Sequence, residues 1–330
     1  KSAASLKRLT DYADGYDLYA IDIAYDYDLD RIIAADVRDD QAYIDAAVAQ
    51  VLPGVPAHVR APQFACSAFA AVDAEGRVRT GRNYDFKDDT SALLVRNYPR
   101  GDYASIGFAA LNNLSANAPL DSVAGRAAAL MGPFAQLDGV NECGVSIAVL
   151  TLDSKPCDQD TQRPVINTSL AIRLVLDRAA TTQEAVDLLS AYDMHAMAGR
   201  DYHFFINDAA GDARVVEWDP RDPDRACKAT PVRQVTNFYA CYADEVLPNQ
   251  KNGELGHGKE RALAIADVLD AHAGAQDEAV AWKALRAAAQ EPNPEDVTSN
   301  TQWSVVFDNT EPAAAITLRR HWGDVDAFAL

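Results

Sequence analysis

The sequence carries none of the short signatures that mark the commonest ligand chemistries. It has neither a G-x-G-x-x-G nor a G-x-x-x-x-G-K-[ST] stretch, so a nucleotide phosphate cradle has no support. It has no C-x-x-C pair, and the spacing of its five cysteines suits no zinc site. No apolar run reaches membrane-spanning length; the longest, such as VSIAVL at 145–150, are as long as buried strands. Positive charge is scarce: 30 Lys and Arg face 49 Asp and Glu, a net charge of -19 at pH 7. Such a surface repels nucleic-acid backbones and anionic lipid heads, so neither nucleic acid nor a membrane is an expected partner. No internal repeat and no low-complexity run appears.

What is present fits a globular chain with ample material for a core: 330 residues, 48% hydrophobic and 24% charged. That length suits one large domain or two small ones. The cysteines are Cys66, Cys143, Cys157, Cys227 and Cys241; an odd count leaves at least one thiol unbridged. Cys143 with Cys157, and Cys227 with Cys241, are open to pairing. The first residues, KSAASLKRL, contain neither Met nor the apolar core of a signal peptide. This fits a trimmed secreted or cell-envelope protein slightly better than a cytoplasmic one and leaves the compartment open.

Residues 1–65 differ in flavour from the rest. Alternation over 16–33 predicts extended or hairpin structure, and 39–52 predicts a helix with Asp at its start. PGVPAHVRAP at 53–62, with Pro53, Pro56 and Pro62, reads as a linker ending just before Cys66. Beyond it, hairpins are expected at 66–86 around DAEG, at 134–152 around NECG, at 202–220 and at 302–322, with strands at 91–99, 103–111 and 231–240. Helices are expected at 166–179, from the Thr181–Glu184 capping pattern onward, at 259–273 and at 277–290. Antiparallel hairpins with helices grouped between them predict an α+β architecture, helices packed on sheets.

A lone cysteine is by default a small buried residue, and Cys143, Cys157, Cys227 and Cys241 are read so. Cys66 stands apart because of what surrounds it. It opens CSAFAAVDAEGRVRTGRNYDF, with Arg82 sixteen and Asp85 nineteen residues on. Three more blocks follow in order: DGVNECGVSIAVL (138–150), PVRQVTN (231–237) and QWSVVFD (302–308). Together they resemble the choloylglycine hydrolase group, the linear-amide C–N hydrolases. That group holds bile salt hydrolases, penicillin V acylases and, more distantly, the acid ceramidase branch, all N-terminal nucleophile (Ntn) hydrolases.

The resemblance implies a four-layer αββα Ntn sandwich of antiparallel sheets. It implies a chain cut between Ala65 and Cys66, with 1–65 a prosegment packing on its own catalytic domain, 66–330. A thiol is a poor nucleophile near its ordinary pKa of about 8.5, and a freed α-amine, at about 8, can serve as its base. The six histidines lie in no motif that suggests a Cys–His pair. Arg82 would lower the thiol's pKa; Asp85 would hydrogen-bond the α-ammonium or thiol, a turn or bulge aiming the two together. By the family's pattern Asn237 would donate to an oxyanion, Thr151 would stand at the second oxyanion and substrate position, and Arg261 would match a late catalytic arginine. The default readings are a surface ion pair for Arg82 and Asp85, a turn residue for Asn237, a pocket-lining residue for Thr151 and a solvated charge for Arg261.

The expected activity is hydrolysis of a small N-acyl amine or amino-acid conjugate, without metal or cofactor. The rivals are an acyltransferase of the penicillin acyltransferase type and an uncut, catalytically silent binding protein. Homo-oligomerisation is left open.

Overall fold

A computed structural model of the chain describes residues 1–51, 65–114, 120, 122–249, 255–295 and 300–330. The predicted linker at 53–62 lies outside the described residues. In chain order the strands are β1 (Lys7–Arg8), β2 (Leu18–Ile23), β3 (Ala65–Val72), β4 (Val78–Asp85), β5 (Ala92–Asn97), β6 (Ser105–Ala110), β7 (Gln136–Asn141), β8 (Ser146–Leu152), β9 (Val165–Asn167), β10 (Asp193–His195), β11 (Asp201–Asn207), β12 (Ala213–Trp218), β13 (Cys227–Pro231), β14 (Gln234–Val235), β15 (Thr301–Asp308), β16 (Ala313–Leu318) and β17 (Asp326–Ala329). The α-helices are α1 (Ser2–Ser5), α2 (Leu29–Ala34), α3 (Asp40–Val51), α4 (Val123–Leu130), α5 (Thr168–Arg178), α6 (Thr182–Ser190), α7 (Ala243–Asn249), α8 (Lys259–Ala271) and α9 (Glu278–Ala288).

Two sheets stack face to face. One runs β1-β2-β5-β6-β7-β8-β11-β12-β13, the other β14-β3-β4-β15-β16-β17, and β9 and β10 form a small parallel pair. Helices α5 and α6 cover the outer face of the larger sheet, α8 and α9 that of the smaller. The result is the four-layer αββα sandwich, α+β in class. Both large sheets are antiparallel except where β2 pairs in parallel with β5. The interior between the sheets is the main core; Phe69, Ala71 and Val306, on the opposite face of the smaller sheet, pack with α8 and α9 in a second one.

Helix starts follow their caps: Asn167 accepts from Leu170 N–H, Thr181 from Glu184 N–H and Asp277 from Val280 N–H. Three expectations need correction. Residues 16–33 are no hairpin: β2 is followed by α2, which Asp28 caps by accepting from Arg31 N–H. The strand expected over 231–240 shrinks to β14, because beyond Val235 the backbone bonds to the loop at 255–258 instead of to a sheet. The closing hairpin gains a further strand, β17, beside β16.

Candidate active site

In the β3–β4 ladder Cys66 stands opposite Tyr84, Ala68 opposite Arg82, and Ala65 opposite Asp85. Alternation turns Cys66, Arg82 and Tyr84 toward the larger sheet. There Arg82 Nη1 lies 3.3 Å from Cys66 Sγ, Nη2 donates to the Val149 carbonyl of β8 at 3.2 Å, and Nε sits 2.8 Å from Asp138 Oδ2 of β7. The Tyr84 and Trp303 rings stack on each other and lie 5.1 and 5.9 Å from the guanidinium carbon. Trp303 Nε1 and the Phe108 N–H both donate to Asp138, each at 3.2 Å. The guanidinium is thus held from several sides, with one Nη free to face the sulfur. Cys66, Arg82 and Asp138 are all fully buried.

Asp85 is not aimed at the thiol by a bulge. The β3–β4 register runs unbroken through it, so its side chain emerges on the opposite face from Arg82. Its carboxylate accepts from Thr301 Oγ1 at 2.6 Å and Gln290 Nε2 at 2.9 Å, and faces Arg261 Nη1 at 3.6 Å. The Cys66 sulfur accepts from Arg82 Nη1 instead.

Arg261, from α8, reaches round the end of the strand. Its Nη1 donates to the Cys66 carbonyl at 2.6 Å and its Nη2 to Asn237 Oδ1 at 2.8 Å. Asn237 Oδ1 also accepts the Cys66 backbone N–H at 2.9 Å, while Asn237 Nδ2 donates to the Thr151 carbonyl at 2.8 Å. Two donors on one side and an acceptor on the other fix the orientation of this amide. In the uncut chain the Asn237 NH₂ is therefore bonded to Thr151. Thr151 takes part through its backbone; its Oγ1 is buried without a hydrogen bond among the described residues.

The local chain is shaped for this. Gly256 has φ +108, and a Cβ there would fall on the Asn237 carbonyl oxygen; at Gly258, φ +93, one would lie 2.6 Å from Arg261 Nη2. The five sequence-derived residues Cys66, Arg82, Asp85, Asn237 and Arg261 thus meet around one cysteine, with Thr151 beside them.

Burial pushes the Cys66 thiol up to about 11, although Arg82 pulls it down, so the uncut chain holds a neutral thiol. Burial likewise raises the Asp138 carboxyl to about 6 against the pull of Arg82. Asp85 is also raised by burial, opposed by Arg261. Asp138, Tyr84 and Trp303 were not singled out by sequence reasoning, though all three stand inside the quoted blocks. The available signal was an acidic residue opening the strand run of 138–150. All five cysteines are free thiols, so neither of the pairings left open is formed.

A family model described as acyl-coenzyme A:6-aminopenicillanic acid acyl-transferase matches residues 72–321. The chain belongs to this acyl-transferase family. The match begins six residues after Cys66 and takes in Arg82, Asp85, Thr151, Asn237 and Arg261. No curated protein matches the chain. Among solved structures, penicillin V acylase from Agrobacterium tumefaciens aligns with a TM-score of 0.57 at 19% identity, over 77% of this chain and 83% of that one. Two variants of conjugated bile acid hydrolase from Clostridium perfringens align with TM-scores of 0.62 and 0.61 at 15% and 16% identity, each over 80% of this chain and 92% of theirs. At such identities the likeness is one of fold, and that fold is the Ntn-hydrolase sandwich. The acyl-transferase family is also the group that the four sequence blocks resemble. No helix among the described residues is long and apolar enough to cross a membrane.

Proposed function

We propose that the chain cuts itself between Ala65 and Cys66 and then, as a cysteine Ntn hydrolase, splits linear amides. Residues 1–65 are the prosegment and 66–330 the catalytic domain. The observation that carries this reading is the convergence on one residue: Arg82 against the Cys66 sulfur, Asn237 on its N–H and Arg261 on its carbonyl. The rings of His195, His203, His257 and His272 engage partners other than Cys66, which favours the α-amine as base.

In the first cut, Cys66 Sγ attacks the Ala65 carbonyl, the Ala65–Cys66 C–N bond breaks, and the proton passes to the freed nitrogen. Water then hydrolyses the resulting thioester and releases Ala65 as a carboxylate. In turnover, the α-amine takes the thiol proton as Sγ attacks the substrate carbonyl, and delivers it to the departing amine. Water, activated by the same amine, hydrolyses the acyl-thioester. Arg82 stabilises the thiolate. The oxyanion falls to Asn237, which must release the Thr151 carbonyl, and to the backbone near Thr151; losing such a donor costs about 2.7–4 kcal/mol in other systems.

Substrates are small N-acyl amines or amino-acid conjugates. Penicillin V, conjugated bile acids and fatty N-acyl amides are the compounds to screen. Intact mass spectrometry gives the first test: a species beginning at Cys66 is expected, and Cys66→Ala should show neither cleavage nor hydrolysis. Undiminished turnover in that variant, or a working protein with the Ala65–Cys66 bond intact, would end this reading. An uncut and inactive chain would point to a silent binding protein. A second reading, acyl transfer, is favoured by the family's own description; product analysis with 6-aminopenicillanic acid added as acceptor separates it from hydrolysis.

A further inference from the structure

Asn237 lies on a short strap, residues 236–241, and both ends of that strap meet a buried pair outside the Cys66 cluster. His203 of β11 and Glu217 of β12 are cross-strand neighbours, next in line after the Phe204–Val216 pair, and neither is exposed at all. His203 Nδ1 faces Glu217 Oε2 at 3.2 Å, and His203 Nε2 faces the Thr236 carbonyl oxygen at 3.0 Å. The Glu217 carboxylate also accepts the N–H of Ala240 at 3.0 Å and of Cys241 at 2.6 Å. One pair therefore grips the strap immediately before Asn237 and again three and four residues after it.

The geometry bears on where the protons sit, since each ring nitrogen faces an oxygen. A neutral imidazole has one donor nitrogen and one acceptor. Here both nitrogens face oxygens, and the carbonyl can only accept. A carboxylate holding two backbone N–H groups is stabilised in its ionised form. The alternative, a proton on Glu217 donated to a neutral ring, would spend one of those oxygens as a donor.

We propose that His203 is a buried imidazolium paired with ionised Glu217, and that the pair acts as positioning residues which clamp the 236–241 strap and so seat Asn237 against Cys66. A buried ion pair is seldom a bargain in stability and is best explained by the geometry it imposes. Among the described residues the strap's other ties are the loop at 255–258, a 3-10 turn at Ala240–Tyr242, and the Tyr239 hydroxyl bonded to Asp201 and Ser154; none of these meets the residue just before Asn237 through a buried side-chain pair. The catalytic significance of the clamp rests on the role proposed for Asn237; the clamp itself does not.

The test combines ring spectroscopy with a split between two rates. In the folded protein, ¹⁵N NMR of the His203 ring is expected to show both nitrogens protonated at neutral pH, and the amides of Ala240 and Cys241 to exchange slowly. In Glu217→Gln those two amides should exchange faster. Turnover should fall on the order of tenfold, less than for outright loss of an oxyanion donor, while alkylation of Cys66 by iodoacetamide stays within about twofold, since the contacts of Arg82 are untouched. Glu217→Asp, which keeps the charge, should restore part of the loss. A singly protonated ring in the parent protein overturns the proposal whether or not any variant folds. Alkylation and turnover falling together overturns the positioning role in favour of a general loss of structure. If the parent protein hydrolyses no N-acyl substrate, the functional reading fails, while the ring spectrum and amide exchange still decide the clamp.

Discussion

Asn237 Oδ1 accepts the backbone N–H of Cys66 at 2.9 Å, and Arg261 Nη2 donates to that same oxygen at 2.8 Å. The nitrogen so held is the one that scission would turn into an α-amine. The Arg261 cation close behind disfavours a positive charge on that nitrogen, while the Asn237 oxygen orients it by accepting its hydrogen. Burial outweighs Arg82 and holds the thiol neutral in the uncut chain; under the proposed mechanism the amine freed by the first cut would then serve as base for turnover.

Asn237→Asp tests this arrangement through pH. A carboxylate at that position favours the ammonium form and raises its pKa. The acid limb of kcat/KM should move upward by about one pH unit, and activity at pH 7 should drop accordingly. An unmoved acid limb would show that the titrating base is not the Cys66 nitrogen.

Asp138 gives a second pH signature, this time in stability. Its folded pKa, about 6, lies above the ordinary 3.8, because burial outweighs the pairing with Arg82. The folded state therefore binds this proton more tightly than the unfolded chain does. The associated stability is present below about pH 4 and is lost as pH rises through about 6; a rise of about two pH units corresponds to roughly 3 kcal/mol. Asp138→Asn removes that dependence. Urea unfolding of the two proteins should show the parent gaining on the variant by roughly this amount between pH 7 and pH 4, and a pH-independent difference would contradict the assignment.

The residues around Cys66 were legible where the signal is local. Cys66 and Arg82 stand two rungs apart on one hairpin, and a hairpin's pairing can be read from its turn. Asp85, one strand residue past Tyr84, was expected to hydrogen-bond the α-ammonium or thiol; strand alternation puts its side chain on the face opposite Arg82, beside Thr301, Gln290 and Arg261. Asp138 meets Arg82 across two sheets, and no periodicity in one strand reports a contact with another sheet. The strap after Val235 looked like a strand because its residues alternate; its true partners, Glu217 and the 255–258 loop, are side-chain and loop contacts invisible to that pattern. The parallel pairing of β2 with β5 was hidden for a similar reason, since it joins segments more than seventy residues apart in sequence.

The two glycines beside the strap make a steric prediction. Gly256→Ala combines a φ of +108 with a Cβ on the Asn237 carbonyl oxygen, and nothing there is a flexible side-chain tip that can swing away. A left-handed residue of this kind costs on the order of 1–3 kcal/mol, and the displaced strap would pull Asn237 from Cys66. The variant should fold with a lowered melting temperature and process slowly on a time-course gel. Gly274→Ala, also at positive φ (+77) but with open space around it, is the control and should process at the parent rate. Equal processing in both variants would show that the strap tolerates displacement.

Cleavage before Cys66 should leave the two pieces together. Strand β2 lies inside the larger sheet between β1 and β5, and pairs with β5 over six registered residues. Leu18, Ile21, Ile23, Leu29, Ile32 and Tyr43 belong to the main core. Polar ties reinforce this: Tyr27 Oη donates to Asp177 at 2.9 Å, Tyr25 Oη to the Leu130 carbonyl at 2.6 Å, and the Val165 and Ala198 N–H groups donate to Asp36 and Asp40. Losing residues 1–65 would strip the edge of β5 and open the core to water. The processed protein is therefore expected as two bands on a denaturing gel but one peak in native gel filtration, with separation only in denaturant. Tyr27→Phe removes a hydroxyl bonded to a buried carboxylate, a loss of about 1.5–3 kcal/mol, and should lower the denaturant concentration at which the pieces part. A catalytic piece that stays folded and active after the upstream piece elutes alone would show that β2 is dispensable to the sheet.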